Sequence, residues 1–170
     1  MIEIVPYSTE WPARFAQEAA RLRSALAPWL VADIEHIGST AVPELGAKPV
    51  IDLMAPVQDL LAARPAIAAA VAAGYCHFPY KPDQMHWFCK PSPAVRTHHL
   101  HLVPWGSALW HDRLAFRDEL RSNGPLAREY ERLKLALAAR DPEDREAYTE
   151  AKSPFIASVL QARRSRMGEA

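Results

Sequence analysis

Cysteine is nearly absent: only Cys76 and Cys89 occur in 170 residues. They have no Cys-x-x-Cys spacing and no apolar leader ahead of them, so no disulfide framework is expected and a cytoplasmic location is. Net charge is absent too. Twenty basic residues meet twenty acidic ones, which argues against bulk nucleic-acid binding, because domains of that kind carry a basic excess on one face. The one basic cluster, Arg163-Arg164-Ser165-Arg166, lies close to the C-terminus, where solvation is the expected fate. Also missing is any apolar run approaching the roughly 18 residues that a membrane-crossing helix needs. The most apolar stretch, Pro65 to Gly74, is Ala-rich and reads as a buried helix, so no membrane partner is expected. No internal repeat or domain boundary is visible. The expectation is a single domain over 1–170, with its core at about 7–160 and a frayed tail at 161–170.

What is present is the composition of a globular protein: 49% hydrophobic and 24% charged residues, enough apolar side chain to build a core. Ile2 to Val5 reads as an edge strand or lead-in. Ser8 and Thr9 offer caps and Pro12 suits a first turn; Phe15, Ala19, Leu22, Leu26 and Trp29 then recur at helical spacing up to Pro28. Asp33 to Ile37 alternates like a strand and runs into Gly38-Ser39-Thr40 and a loop over Val42 to Pro49. Val50 to Val57 is almost continuously apolar, the pattern of a central strand buried on both faces. Asp59 to Ala73 predicts a helix with Gly74 behind it. Tyr75 to Pro82, Met85 to Lys90 and Val95 to Val103 predict an antiparallel hairpin or meander. Beyond Pro104 the pattern predicts helices over Ser107 to Arg121, Pro125 to Arg140 and Glu143 to Gln161, with breaks at Asn123-Gly124 and Asp141-Pro142. The last helix is interrupted at Ser153-Pro154. The fold class is α/β in the α+β sense, a mixed sheet with packed helices and a helical C-terminal third.

Three constellations point to chemistry. Gly38-Ser39-Thr40 follows a strand, where successive backbone N–H groups and two hydroxyls can cradle a phosphate; such tripeptides are also ordinary turns. Asp52 interrupts an apolar strand, and a carboxylate there must be paired, hydrogen-bonded or metal-bound to offset its desolvation. A pairing with Lys48 would be the structural version of that. In Thr97 to Val103, alternation places His99 and His101 on one strand face and His98 on the other. Two imidazoles on one face can bind a metal, hold a phosphate when protonated, or serve as acid and base. Lys48, Arg96, Arg117 and Lys152 are candidate anion contacts, though each alone reads as a solvated charge; Lys48, in the loop between the Ser turn and the Asp strand, is the cation assigned to the pocket. His86, Cys76 and Cys89 fit no zinc-finger or ribbon spacing.

The order strand, Gly-Ser, loop, Asp on the next strand resembles the active-site entrance of the nucleotidyltransferase superfamily. The run His36-Ile37-Gly38-Ser39-Thr40-Ala41-Val42-Pro43, then Ala47-Lys48-Pro49-Val50-Ile51-Asp52-Leu53 and His98-His99-Leu100-His101-Leu102, is similar to the GrpB family. So are Phe116 to Arg121, Tyr130 to Lys134 and Ala151 to Ile156, and the resemblance extends from Tyr7 to about Leu160. It implies a nucleotidyltransferase-like mixed β-sheet and a pocket for a nucleotide or other phosphate-containing small molecule. Enzymes of that superfamily carry two carboxylates at i and i+2 on the Asp strand, holding two Mg²⁺ ions. Here the second position is Met54, a poor ligand for a hard cation. The resemblance therefore implies an altered site in which Asp52, His99 and His101 hold a divalent metal (Mn, Zn or Mg) or do acid–base work. Gly38, Ser39, Thr40 and Lys48 would bind phosphate. The leading reading is an enzyme that moves a nucleotidyl or phosphoryl group to a small-molecule acceptor. The alternatives are a non-catalytic nucleotide- or coenzyme-binding module and a metal-dependent phosphohydrolase.

Overall fold

The computed structural model describes residues 1–140 and 142–168. Its centre is a five-stranded mixed sheet in the order β1-β2-β5-β4-β3, formed by β1 (Glu35–Ile37), β2 (Ile51–Val57), β3 (Cys76–Phe78), β4 (His86–Pro91) and β5 (Arg96–Pro104). The last three strands form the antiparallel meander that their alternation predicts. β1 runs antiparallel to β2, while β2 and β5 run parallel, and that parallel pair brings Asp52 opposite His99 and Met54 opposite His101.

Alternation along β2 and β5 separates two cores. Ile51, Leu53, Ala55 and Val57, with Leu100 and Leu102, face α1 (Trp11–Ala25) and α2 (Ala66–Ala72), where Trp11, Ala19, Leu22, Ala66 and Ala70 complete the larger core. Met54, Val103, Trp87 and Cys89 face the other way, towards Trp110 of α3 (Ala108–Ser122). β2 is thus buried on both faces, as its unbroken apolar run requires. Glu18 ties α1 to the sheet: Lys90 Nζ lies 2.7 Å from Oε1, and the Tyr75 hydroxyl donates to the same oxygen at 3.0 Å. Burial opposes ionisation of Glu18, but Lys90 outweighs it and holds the carboxyl below its ordinary value.

Two expectations are corrected and one is narrowed. Ile2 to Val5, expected as an edge strand or lead-in, is a lead-in with one isolated bridge, Val5 to Ala47. The helix expected from Asp59 begins only at Ala66. Pro65 disfavours helical geometry in the residue before it, and the Asp59 carboxylate instead accepts from Ala62 N at 2.7 Å in a turn. At the other end α6 (Ser153–Met167) continues through the residues assigned to a tail. Arg163 and Arg166 both reach Glu119, at 3.0 and 2.7 Å, and Arg164 reaches Asp112 at 2.7 Å, tying α6 to α3. Between α3 and α6 lie α4 (Gly124–Arg140) and the short α5 (Arg145–Glu150). Asp141 of the expected Asp141-Pro142 break, and residues 169–170 of the expected tail, lie outside the described residues. No helix among the described residues is long and apolar enough to cross a membrane.

Candidate active site

The site lies on the α3 face of the β2–β5 pair. Asp52 Oδ1 stands 2.9 Å from His99 Nδ1 and 3.3 Å from His101 Nε2. One donor atom from each of Asp52, His99 and His101 lies within 4.8 Å of the others, a spacing compatible with one metal ion. Burial works against the charged carboxylate, but the charge and hydrogen bonds of His99 and His101 prevail, so Asp52 is held well below the usual carboxylate range. His101 is pushed down to about 4, first by burial and then by the Arg113 guanidinium, with Asp52 opposing.

The environment of His101 bears on which species it is. Its Nδ1 faces the Met85 thioether at 3.4 Å. A thioether can only accept, so a hydrogen bond there requires the proton on Nδ1. The neutral ring donates to one partner at a time: a proton on Nε2 goes to Asp52 Oδ1, whereas a proton on Nδ1 goes to Met85 and turns the Nε2 lone pair towards the carboxylate, the state in which the two can hold a cation between them. His99 supplies a second unsatisfied atom: its Nε2 is buried and has no hydrogen-bond partner among the described residues. One carboxylate and two imidazoles form a donor set suited to Mn²⁺ or Zn²⁺ more than to Mg²⁺.

Gly38 closes over this centre. Its φ of 73° and ψ of −175° belong to a region open essentially to glycine alone, and a Cβ on it would lie 2.6 Å from Asp52 Oδ2. Ser39 opens a short 3-10 turn, Ser39–Ala41, beside the carboxylate. The Thr40 hydroxyl is already committed: it donates to the Val50 carbonyl at 3.2 Å and meets His36 Nε2 at 3.0 Å. With its proton given to Val50, the hydroxyl accepts from the imidazole. Thr40 and His36 therefore join the turn to the start of β2. His36 stacks on Phe15 at 4.6 Å, and burial drives its pKa to about 4.

Lys48 sits with its ammonium 4.6 Å from the centre of the Tyr148 ring. Burial lowers its pKa, and Asp52 partly offsets that. It lines a cavity of about 180 Å³ together with Arg96, His99 and Arg145, among others. His98 points to the opposite face, its Nδ1 2.9 Å from the Thr97 hydroxyl. Met54, in the position where a second carboxylate would stand, is fully buried among Ile37, Met85, Trp87 and Trp110.

Several residues at the site carry no local sequence signal, and Lys152 reads from sequence only as one of the general candidate anion contacts. Trp87 packs its ring 5.0 Å from His99 because β4 pairs with β5. Arg113 reaches the centre from α3, and Lys152 from the start of α6. On α4, Glu131 accepts from Gly46 N at 2.9 Å and Lys134 donates to the Gly46 carbonyl, so the two peptide groups flanking Gly46 in the loop before β2 are both clamped. A Cβ on Gly46 would lie 2.1 Å from Glu131 Oε1, so a larger residue there would displace that carboxylate from the Gly46 N–H.

This sheet, with its Gly-Ser turn leading to an aspartate strand, defines a protein of nucleotidyltransferase-like fold. The chain superposes on Cid1, a poly(U) polymerase solved with MgATP, with a TM-score of 0.57 at 13% identity, covering 86% of this chain and 50% of that one. More narrowly, the chain belongs to the GrpB family: the family model for GrpB protein matches residues 1–162. It superposes on GrpB of Enterococcus faecalis with a TM-score of 0.84 at 30% identity, covering 98% of this chain and all of that one. A UPF0157 protein of Pseudomonas aeruginosa is 43% identical over 165 residues, 94% of this chain, and the match spans 66% of that relative's length.

Proposed function

We propose that this chain moves a nucleotidyl or phosphoryl group from a phosphate-bearing donor to a small-molecule acceptor at Asp52, His99 and His101. The observation that carries this reading is the convergence of the three donor atoms within 4.8 Å, beside a buried His99 Nε2 that has no hydrogen-bond partner among the described residues. The fold shared with a poly(U) polymerase supports the reaction class by analogy.

A divalent ion held by Asp52 and the two histidines would polarise a phosphoryl oxygen and offset charge on the phosphate. The chain's own part is positioning and proton transfer. Asp52 accepts the Nδ1 proton of His99 and so fixes that ring with a lone pair on Nε2. That one lone pair serves either the ion or a proton: where it does not ligate the ion, His99 Nε2 takes the proton of an acceptor hydroxyl or amine as the acceptor's bond to phosphorus forms, and the bond from phosphorus to the leaving phosphate oxygen breaks with its electron pair. Gly38 and Ser39 bring backbone N–H groups and one hydroxyl to the phosphate oxygens, and Lys48 neutralises charge. Thr40 belongs to the framework beneath them, its hydroxyl being engaged by Val50 and His36.

Pyrophosphate or phosphate release from nucleoside triphosphates, assayed with a panel of hydroxyl and amine acceptors and with Mn²⁺, Zn²⁺ or Mg²⁺, tests the reading. Release that depends on acceptor and falls at least about a hundredfold in Asp52→Asn is the expected result. Met54, buried where the second carboxylate would stand, favours a second reading, a binding module without turnover. Saturable nucleotide binding that survives in Asp52→Asn, with no turnover of any donor, would establish that reading in place of the first. Cleavage that needs only water would make the protein a hydrolase.

A further inference from the structure

Three cations converge on the site from three different parts of the chain. Lys48 comes from the loop before β2, Arg113 from α3 and Lys152 from the start of α6. Lys48 and Lys152 both place their ammonium groups over the Tyr148 ring, 4.6 and 4.4 Å from its centre. The Arg113 Nε is buried and has no hydrogen-bond partner among the described residues. Among the described residues, none of the three makes an ion pair. Asp52 is the one carboxylate whose field is felt by all three.

Three half-buried cations around one carboxylate destabilise a fold, because a cation only partly matched by counter-charge keeps part of its desolvation cost. The lowered proton affinity of Lys152, driven by burial and then by Lys48, reflects the same crowding. A ligand bringing negative charge would relieve it. The positive surface also continues outwards. Arg96 and Arg145 line the cavity of about 180 Å³ that opens beside Lys48 and His99, and Glu3 is the one carboxylate on its wall. A single anion needs one point of charge, whereas here Lys48 is shared by two groups of cations, Arg96 and Arg145 on the cavity wall and Lys152 and Arg113 off it.

We propose that Lys48, Arg113 and Lys152 seat a linked polyphosphate, a diphosphate or triphosphate chain, that extends towards the Arg96 and Arg145 mouth. The proposal rests on the phosphate-transfer reading of the same site and names the class of donor. Inorganic polyphosphate and the phosphate chain of a nucleotide or coenzyme present the same chemistry to these residues. What separates them is the organic group beyond the chain.

Calorimetric titration in the presence of a chelator, with orthophosphate, pyrophosphate and tripolyphosphate as probes, tests the seat without a metal and without turnover. Pyrophosphate and tripolyphosphate should bind the wild type at least about tenfold more tightly than orthophosphate, and Arg113→Gln and Lys152→Gln should each lose about tenfold or more. Lys152→Arg keeps the charge and should keep most of the affinity, while Asp52→Asn should bind as well as wild type or better, having lost a negative neighbour. Thermal unfolding of each variant without ligand separates a lost contact from a lost fold. Equal affinity for one phosphate and three, or full affinity in both glutamine variants, would overturn the seat. Nucleoside triphosphates tighter than tripolyphosphate would identify a nucleotide source; equal affinity would identify the chain itself as the whole determinant, and either supports the seat. Polyphosphate binding without any group transfer would remove the enzyme reading and leave the seat standing. Transfer without polyphosphate selectivity would do the reverse.

Discussion

Gly38 and Asp52 meet so closely that a Cβ on the glycine would lie 2.6 Å from Asp52 Oδ2. The glycine is needed twice, for that contact and for its positive φ of 73°. It stands at the junction of β1 with the Ser39 turn, so the backbone that would meet a phosphate is held against the carboxylate that would hold a metal.

Gly38→Ala is therefore expected to act on both structure and site. Strained backbone should cost about 1–3 kcal/mol in urea unfolding. Displacement of the Asp52 carboxylate from its histidines should weaken Mn²⁺ or Zn²⁺ binding, followed by calorimetry, by about 10- to 100-fold. Unaltered metal affinity in a folded Gly38→Ala protein would mean that the glycine does not position Asp52.

Met54 gives the second prediction. Its side chain is fully buried in an apolar cluster, next along the strand face from Asp52. Met54→Asp restores the superfamily's pair of carboxylates in sequence, but places an unpaired charge in that cluster, at an expected cost of about 3–5 kcal/mol without metal. Added Mn²⁺ should recover part of the loss, and Met54→Leu should cost less than about 1.5 kcal/mol. Chemical denaturation with and without Mn²⁺ measures all three. An aspartate variant as stable as wild type in chelator would contradict the buried, apolar character of this position.

Lys134 gives a dependence on pH. Burial, with Lys152 adding, pushes its ammonium down to about 7 in the folded chain, against about 10.4 when unfolded. Between those values the unfolded chain binds a proton that the folded chain does not, so this group makes stability rise with pH from about 7 towards 10. Lys134→Met should flatten that rise by about 1 kcal/mol per pH unit between pH 7 and 9, read from urea midpoints. Parallel slopes for the two proteins would show that Lys134 stays charged in the fold, held by the Gly46 carbonyl and the Tyr130 ring.

The parts of the site that sequence exposes are those where one element carries the whole message. The i, i+2 spacing of His99 and His101 puts both rings on one face because side chains alternate along any strand. Asp52 stands out because its neighbours Ile51 and Leu53 are apolar, and burying a carboxylate among them demands a reason. Ends of elements are less legible. Asp59 opens a turn and not the expected helix, since the break at Pro65 depends on one residue in an otherwise helix-favouring run. Arg163, Arg164 and Arg166 look like a solvated cluster until α3 presents Glu119 and Asp112 to them.

By itself, then, the sequence determined the alternating strands, the amphipathic helices, the Gly-Ser turn and the one anomalous aspartate, all of which follow from local geometry and the aversion of apolar side chains to water. Only the tertiary structure decided that β2 runs parallel to β5 in the register that sets Asp52 against His99. It alone brought Arg113 and Lys152 to the same centre from distant helices. Strand register and helix docking are settled by the summed packing of residues far apart in the chain, and no short stretch of sequence carries that sum.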